Sequence, residues 1–303
     1  MPGSCRGDAA RANRFGAHAG LQWLREVDGG SAWLARLPQL VAECCRRWDL
    51  VPGEPFAYAF ASLAVPVARL DGSPAVLKVQ WPDRESEHEA NALAAWGGNG
   101  AVRLIDYDAE RRALLIERCE PGTPLSAENP NLAMEILIGL LPRLWIPAPA
   151  AIPSLSDEVT RWFQSLPRRW QRAGRPIERR LVDAALESMH SLVSTQGEQV
   201  LVHQDLHADN VLRAKREPWL AIDPKPLSGE REFAVAPIVR GGELGHSRQA
   251  LLGRLDRVCS ALSLDRERAR GWTIAQAVAW APFGKDDPSS SRQIEAVRWL
   301  LAP

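Results

Sequence analysis

The chain is poor in the features on which several protein classes depend. It has 5 cysteines in 303 residues, of which Cys44 and Cys45 are adjacent, and it has no C-x-x-C pair. An odd number without such spacing predicts neither a disulfide framework nor a zinc site, and it is typical of a reducing compartment. No apolar run approaches the ~18 residues of a membrane-spanning helix. We therefore expect a cytoplasmic protein.

An excess of charge of one sign is also missing. The 37 basic and 37 acidic residues cancel, so the chain lacks the overall field that attracts proteins to nucleic acid or anionic membranes. The 12 tryptophans are scattered along the chain, whereas a stacking surface for bases would group them with basic residues. The sequence therefore predicts no nucleic-acid or membrane partner, and we expect a monomer or a weak dimer.

Three regions differ in composition and periodicity. Residues 1–30 are rich in alanine and glycine without an apolar segment, which predicts a mobile leader and no secretory signal. Residues 31–118 predict helix, hairpin, helix and hairpin, and residues 119–303 predict mainly helices after the Pro/Gly-rich stretch EPGTPLSAENP. This order predicts an α+β fold, because a doubly wound sheet needs more helical crossovers. The predicted helices cover 31–48, 83–96, 132–145, 156–170, 177–193, 247–262, 265–281 and 289–301, and the predicted strands of the first region cover 61–70, 75–81, 101–108 and 113–118.

The segment LVHQDLHADNVLRAKREPWLAIDPK, from Leu201 to Lys225, carries the strongest functional signal. Asp205 and Asp223 each follow a short apolar run that predicts a strand, and Asn210 lies five residues after the first acid. Phosphoryl transfer uses such a set, with a carboxylate as the proton acceptor and an amide and a second carboxylate as Mg²⁺ ligands. The D-x-x-x-x-N spacing is common by itself, but the coupled pattern predicts a phosphotransferase.

The same segment allows other interpretations. Asp205 and Asn210 are residue types that also serve as turn and cap residues. His203 and His207 have the i, i+4 spacing of a zinc pair, and together with Asp209 they would suggest a metal-dependent hydrolase. The segment is strand-then-loop, however, and no cysteine or glutamate nearby completes a tetrahedral set. For His203 we therefore favour a structural role within the loop.

The segment resembles the catalytic loop and metal-binding strand of the aminoglycoside phosphotransferase family. The members of this family are related to protein kinases but phosphorylate small molecules. With DPK where protein kinases have DFG, it is most similar to the streptomycin 6-phosphotransferase and hydroxyurea-kinase branch, and the resemblance covers about Trp33 to Trp299. It implies a protein-kinase-like two-lobed fold, with a small antiparallel-sheet N-lobe over 31–118 and a mostly helical C-lobe. By this resemblance Asp205 is the catalytic base, and Asn210 and Asp223 are the metal ligands.

The resemblance also implies the residues that bind ATP. Lys78 lies in the middle of the apolar strand AVLKVQW and would bind the α- and β-phosphates. Glu89, rather than Glu85 or Glu87, matches the family position of the glutamate that holds this lysine. The backbone around Cys119 would contact the adenine.

Two features depart from the family pattern. The loop that would cover the phosphates, FAYAFAS at 56–62, has no glycine, although kinases use glycines there for close backbone approach. Ser62 is expected to add a hydroxyl. Gln204 stands where relatives more often have glycine, and we expect an extended backbone at this position. These departures favour an alternative, a catalytically weak or silent nucleotide-binding protein. Lys225 is left open between a position near the phosphates and a solvated surface position.

The implied function is ATP- and Mg²⁺-dependent phosphorylation of a hydroxyl on a small molecule, such as the aminoglycoside streptomycin, which confers antibiotic resistance. A further alternative is a kinase of hydroxyurea or of another small metabolite. Streptomycin is a polyhydroxylated guanidinium cation, so its pocket should contain acids of the helical region. The candidates are Glu230, Glu232, Glu243, Asp286 and Asp287.

Overall fold

The computed structural model describes residues 15–16, 18–58, 60–283 and 288–302. The chain divides into two compact units. The first comprises Met1–Gly98 and Val102–Cys119, and the second comprises Asn99–Ala101 and Glu120–Pro303. The first unit contains an antiparallel sheet and the second is mainly helical, so the predicted α+β class is confirmed.

The sheet of the first unit has five strands in the order β1-β2-β3-β5-β4. Strand β3 lies at its centre, antiparallel to both neighbours, and Lys78 pairs with Ala64 on one side and Leu114 on the other. Six of the seven residues of β3 are buried, because the β-branched and leucine side chains of this strand fit a sheet covered on both faces. The strands are β1 Val51–Pro52, β2 Ser62–Ala68, β3 Pro74–Gln80, β4 Leu104–Asp108 and β5 Ala113–Glu117.

The N-terminal region is more ordered than the sequence predicts. A 3-10 helix covers Ala19–Glu26, and its Leu21 and Leu24 are fully buried in the core of the first unit beside Phe15. The prediction of a mobile leader over 1–30 is therefore wrong for its described residues from 15 onward; residues 1–14 and 17 lie outside the described part of the chain. Helix α1 (Gly30–Arg47) follows and packs its apolar stripe into the same core.

The 3-10 helix also holds the glycine-free loop. His18 Nε2 donates to the carbonyl oxygen of Phe56 at 2.8 Å, and Trp23 Nε1 donates to that of Phe60 at 2.9 Å. The rings of Trp23 and Phe60 stack at 5.0 Å between centroids. Ala59 lies outside the described residues. Side chains of the N-terminal region thus fix backbone groups on both sides of the centre of this loop.

Helix α2 (Glu89–Trp96) is shorter than predicted. The prediction began it at Asp83, but residues 83–88 form turns, in which Asp83 Oδ1 accepts a hydrogen bond from Ser86 N at 2.8 Å. An aspartate that bonds to the backbone of its own turn competes with helix formation. The helix ends at Gly97, whose φ of 57° is left-handed, as the Gly-Gly signal predicted.

The second unit is built around helix α9, which packs on α5, α6, α7, α8 and α10 and buries Trp272 completely. The segment from Leu201 to Lys225 contains the end of strand β6 and all of β7 and β8. Strand β6 pairs with β9 and β7 pairs with β8, both antiparallel. Among the described residues, no helix combines the length and apolar character that crossing a membrane requires. The elements of the second unit are α3 Pro130–Leu144, α4 Leu155–Arg172, α5 Arg179–Val193, β6 Gln199–Val202, β7 Val211–Arg213, β8 Trp219–Ala221, β9 Leu227–Glu230, α6 Arg231–Ala234, α7 Ala236–Arg240, α8 Arg248–Leu262, α9 Arg266–Ala279 and α10 Pro288–Leu301, with short 3-10 turns at Leu125–Ala127 and Ala208–Asn210.

Candidate active site

The loop after β6 folds around the carbonyl group of Asp205. This oxygen accepts a hydrogen bond from the backbone N–H of His207 at 3.1 Å and another from Asn210 Nδ2 at 3.0 Å. The backbone oxygen of Asn210 in turn accepts from the N–H of Ile222 at 2.9 Å. The D-x-x-x-x-N spacing therefore closes one loop, and this loop is bonded to the residue that precedes Asp223.

His203 is a structural residue of this loop. Its ring is buried, with Nε2 donating to the Ile222 carbonyl at 2.9 Å and Nδ1 accepting from the backbone N–H of Asp205 at 3.3 Å. Burial lowers its pKa to about 4, so the ring is neutral at pH 7. Both nitrogens have protein partners, which argues against the zinc interpretation of His203 with His207. The His203 carbonyl also accepts from Lys225 N at 3.0 Å.

Gln204 has a left-handed backbone, with φ of 63°, and the expected extended conformation is wrong. The chain turns here so that the backbone N–H of Asp205 reaches the ring of His203, and glycine would adopt this conformation without steric cost. The backbone oxygen of Gln204 accepts a hydrogen bond from Gln276 Nε2 at 3.0 Å. Asp223 also has a positive φ, of 59°. The backbone is therefore strained at the residue before Asp205 and at Asp223 itself.

The strain at Gln204 predicts a stabilising substitution. Gln204→Gly should raise the free energy of unfolding by about 0.5 kcal/mol, because relief of the left-handed conformation outweighs the added freedom of the unfolded chain. The bond from Gln276 persists, since it is made to the backbone. Denaturant titration measures the change, with Gln199→Gly in β6 as the matched control. Glycine inside a strand should lower stability by about 0.5–1 kcal/mol, and equal losses in the two variants would contradict the strain argument.

The carboxylate of Asp205 faces three basic side chains. Oδ2 accepts a hydrogen bond from Lys225 Nζ at 2.9 Å. Oδ1 lies 3.6 Å from a terminal nitrogen of Arg240 and 3.9 Å from His207 Nε2. The cationic groups of Lys225 and Arg240 both lie over the ring of Trp280, at 4.9 and 5.1 Å from its centroid. The structure thus places Lys225, which the sequence left open, directly on the proposed base.

Arg240 is a residue that no motif in the sequence indicates. It lies at the end of α7, 35 residues after Asp205, and only tertiary packing brings the two together. Its Nε donates to Gln276 Oε1 at 3.1 Å. Burial lowers the pKa of the guanidinium, and the carboxylates of Asp205 and Glu243 oppose this shift. Gln276, buried in α9, therefore anchors both the turn at Gln204 and the side chain of Arg240.

The acids proposed for a cationic substrate differ in their surroundings. Glu230 is almost fully buried, where it pairs with Arg268 at 2.8 Å and accepts hydrogen bonds from Trp272 Nε1 and from Gly197 N. Three donors on one buried carboxylate indicate a structural role. Asp286 and Asp287 lie outside the described residues.

Glu243 is the candidate acid that contacts the catalytic loop. Its Oε1 accepts a hydrogen bond from the N–H of Ala208 at 3.1 Å. The turn that carries it is fixed by the buried Arg254, whose guanidinium donates to several backbone carbonyls. Glu232 instead accepts from Asp265 N at 3.3 Å. The carbonyls that Arg254 contacts are those of Ile238, Val239, Gly241, Leu244 and Gly245.

Asn210 and Asp223 carry oxygen atoms of the kind that bind a magnesium ion. Because Asn210 donates its Nδ2 to the loop, its carboxamide oxygen is the atom available as a ligand. Asp223 is partly exposed and adds a carboxylate. Mg²⁺ prefers hard oxygen ligands, and it is commonly held by one or two protein groups together with water and substrate phosphates.

The first unit contains a buried ion pair. Lys78 Nζ lies 2.7 Å from Glu89 Oε1 and 2.6 Å from Oε2, and both residues are buried. Gln80 Nε2 donates to the same carboxylate at 2.7 Å, a contact that the sequence did not indicate. Two strong donors offset the cost of burying the Glu89 charge. Of the three candidate glutamates, the structure therefore brings Glu89 to Lys78, whereas Glu85 and Glu87 lie on the preceding turns.

The other two residues predicted to bind nucleotide also belong to the first unit. Ser62 opens β2, where it is half-buried and pairs with Gln80. Cys119 is buried and is the last residue of this unit. Burial also raises the pKa of the Cys44 thiol to about 12 and that of Cys45 to about 11, so neither is a reactive thiolate at neutral pH.

Comparison with known proteins shows the family to which the sequence is similar. A family-wide sequence profile described as "Aminoglycoside/hydroxyurea antibiotic resistance kinase" matches residues 47–287. The chain is 41% identical over 254 residues to a streptomycin 6-kinase of Streptomyces griseus, and the aligned residues cover 82% of each protein. It is 37% identical over 273 residues to a hydroxyurea phosphotransferase of Kitasatospora aureofaciens, covering 88% of this chain and 75% of that protein.

Solved structures confirm the fold. The crystal structure of a choline kinase from Streptococcus pneumoniae superposes with a TM-score of 0.61 at 14% sequence identity, covering 86% of this chain and 98% of the other. The predicted protein-kinase-like architecture is thus confirmed, with an antiparallel sheet in one unit and helices dominating the other.

Proposed function

Since the chain belongs to the aminoglycoside/hydroxyurea antibiotic resistance kinase family, we propose that it transfers the γ-phosphoryl group of ATP to a hydroxyl of an aminoglycoside such as streptomycin. The observation that carries the proposal is the bond from Asn210 Nδ2 to the Asp205 carbonyl at 3.0 Å. It joins the proposed base and a proposed metal ligand in one loop, as in the catalytic loop of kinases. Streptomycin is the acceptor of choice because the S. griseus relative is named a streptomycin 6-kinase.

Asp205 is the proposed catalytic base. Its carboxylate orients the acceptor hydroxyl and takes up the hydroxyl proton as the oxygen bonds to phosphorus. Its backbone N–H and C=O are both engaged within the loop, so the position of the carboxylate is set before substrate arrives. Such preorganisation is the main contribution that a protein makes to phosphoryl transfer.

Lys78, Asn210 and Asp223 are the proposed ligands of MgATP. Lys78, oriented by Glu89, would neutralise charge on the α- and β-phosphates. Asn210 and Asp223 would hold Mg²⁺, which when bound offsets the charge of the phosphates. Ser62 and the backbone at Cys119 would complete the nucleotide contacts.

Glu243 is the proposed acid for a cationic acceptor. It adjoins the catalytic loop through Ala208, whereas Glu230 is fully engaged with buried partners. A carboxylate beside the base would suit the guanidinium groups of streptomycin through charge-assisted hydrogen bonds. Hydroxyurea carries no such charge, so this site favours an aminoglycoside over hydroxyurea as the acceptor.

The proposed enzyme uses ATP in the cytoplasm and acts as a monomer or a weak dimer. Its buried cysteines are free thiols, among them Cys44, Cys119 and Cys259. Size-exclusion chromatography tests the oligomeric state, and thiol titration of the denatured, unreduced protein tests whether the cysteines are free thiols.

A substrate screen tests the proposed function. The purified protein is incubated with MgATP and separately with streptomycin, hygromycin B, kanamycin and hydroxyurea, and ADP formation and product mass are recorded. We expect acceptor-dependent ADP formation with streptomycin and a product heavier by one phosphoryl group. Glu243→Gln should raise KM for streptomycin by about tenfold, the loss of one charge-assisted contact. Turnover of hydroxyurea alone would contradict the aminoglycoside assignment, and turnover of no acceptor would favour a silent nucleotide-binding protein.

A further inference from the structure

Lys225 is half-buried rather than solvated. Its side chain is 24% exposed, with Nζ 2.9 Å from Asp205 Oδ2 and 4.9 Å from the centroid of the Trp280 ring. Its backbone N–H donates to the His203 carbonyl. The residue is therefore fixed at both ends, by the backbone of His203 in the catalytic loop and by the carboxylate of Asp205.

The two oxygens of Asp205 have different environments. Oδ2 accepts a hydrogen bond from Lys225 at 2.9 Å, whereas a terminal nitrogen of Arg240 lies 3.6 Å from Oδ1, beyond the length of a good hydrogen bond. The guanidinium of Arg240 instead donates a hydrogen bond through Nε to Gln276 Oε1 at 3.1 Å. This asymmetry leaves Oδ1 as the oxygen that an incoming hydroxyl can reach at hydrogen-bond distance.

A comparison with another lysine of the same unit shows that this pair is unlike an ordinary surface pair. Lys215 contacts Glu120 at 2.7 Å, but its side chain is 78% exposed. Such exposed pairs contribute little, because water and salt screen them. Lys225 forms its pair against the ring of Trp280 and beside the buried guanidinium of Arg240. Less water screens the pair there, so it holds the Asp205 carboxylate in one orientation more strongly.

We propose that Lys225 is a positioning residue for the base: it holds Oδ2 of Asp205 so that Oδ1 alone receives the proton of the acceptor. This inference rests on the proposed function. The acceptor oxygen forms its bond to the γ-phosphorus while its proton passes to Oδ1. The bond from that phosphorus to the β,γ-bridging oxygen breaks, and ADP leaves with the electron pair. Asp205 then releases the proton to solvent.

Lys225→Met tests this role through kcat. The variant should lose ~10²-fold in kcat, the effect of a misplaced catalytic group, while KM for ATP and for the acceptor stay within about twofold, because the lysine acts through Asp205 rather than on either substrate. Lys225→Arg should have a kcat about tenfold higher than Lys225→Met, since arginine restores the positive charge but carries it on a planar guanidinium. Lys215→Met is the matched control and should match wild type. A kcat for Lys225→Met within threefold of wild type would overturn the proposal.

A double substitution separates positioning from direct contact. In an Asp205→Asn background, Lys225→Met should cause no further loss, because the group through which it acts is already gone. A further tenfold loss would show a direct contact with the phosphates and overturn the positioning role.

Circular dichroism checks that each variant is folded. If Lys225→Met does not fold, Lys225→Gln is used in its place, because glutamine keeps a hydrogen-bond donor without the charge. If Asp205→Asn itself turns over normally, the proposed function fails; if only Lys225→Met is normal, this inference alone fails.

Discussion

Asp205→Asn is expected to lower kcat for aminoglycoside phosphorylation by about 10²–10⁴-fold, the usual contribution of a general base. Asparagine keeps the shape of the side chain but cannot take up the hydroxyl proton. The backbone bonds of residue 205 to His203, His207 and Asn210 do not depend on its side chain, so the loop should persist. Steady-state kinetics with ATP and streptomycin measure the loss, and KM for ATP should change by no more than about twofold, because Lys78 and the metal ligands are intact.

The matched control is Asp209→Asn. Asp209 lies in the same loop, is exposed, and accepts a hydrogen bond from Ser126 Oγ. Its substitution removes the same charge from the neighbourhood without touching Asp205, and we expect kcat within about threefold of wild type. A loss confined to Asp209→Asn, or equal losses in both variants, would show that Asp205 is not the base.

Glu230→Ala is expected to be the most destabilising single change among the acids proposed for a cationic acceptor. It removes a carboxylate that is 1% exposed and leaves the guanidinium of Arg268 and the indole N–H of Trp272 without their partner. Breaking a buried ion pair by removing one member costs about 3–5 kcal/mol; since Arg268 is partly exposed, we expect a loss near 3 kcal/mol. Urea titration of the free energy of unfolding measures it.

Glu232→Ala is the control for this prediction. Glu232 stands two residues further along the chain, is partly exposed and accepts a hydrogen bond only from the backbone of Asp265 among the contacts described above, so its loss should change stability by no more than about 0.5 kcal/mol. Assays below the unfolding temperature should show an unchanged KM for streptomycin in Glu230→Ala. A raised KM without a loss of stability would instead place Glu230 in the acceptor site.

The features that the sequence predicted well are those that local signals determine. The hairpin of β2 and β3 follows from two apolar runs around Asp71-Gly72-Ser73-Pro74, and Gly97 ends α2 because glycine takes a left-handed conformation easily. The pairing of Lys78 with Glu89 was predicted from the resemblance to the kinase family, because the need of a buried lysine for a nearby acid does not by itself choose among Glu85, Glu87 and Glu89.

The features that the sequence missed depend on packing between distant segments. Arg240 and Trp280 reach the catalytic loop only through the arrangement of α7 and α9. The left-handed backbone of Gln204 follows from the direction in which the loop must turn, not from the preference of glutamine. The order of the N-terminal 3-10 helix likewise follows from burial of Leu21 and Leu24, two apolar residues too few to predict an element by periodicity.

The transfer of label from γ-labelled ATP to streptomycin by wild-type protein and by Asp205→Asn, followed side by side in single turnovers, tests the central claim most directly. The account predicts that wild type moves the label onto one streptomycin hydroxyl and that the variant binds both substrates but moves it at least about a hundredfold more slowly. Equal transfer rates, or labelled inorganic phosphate in place of labelled streptomycin, would contradict it.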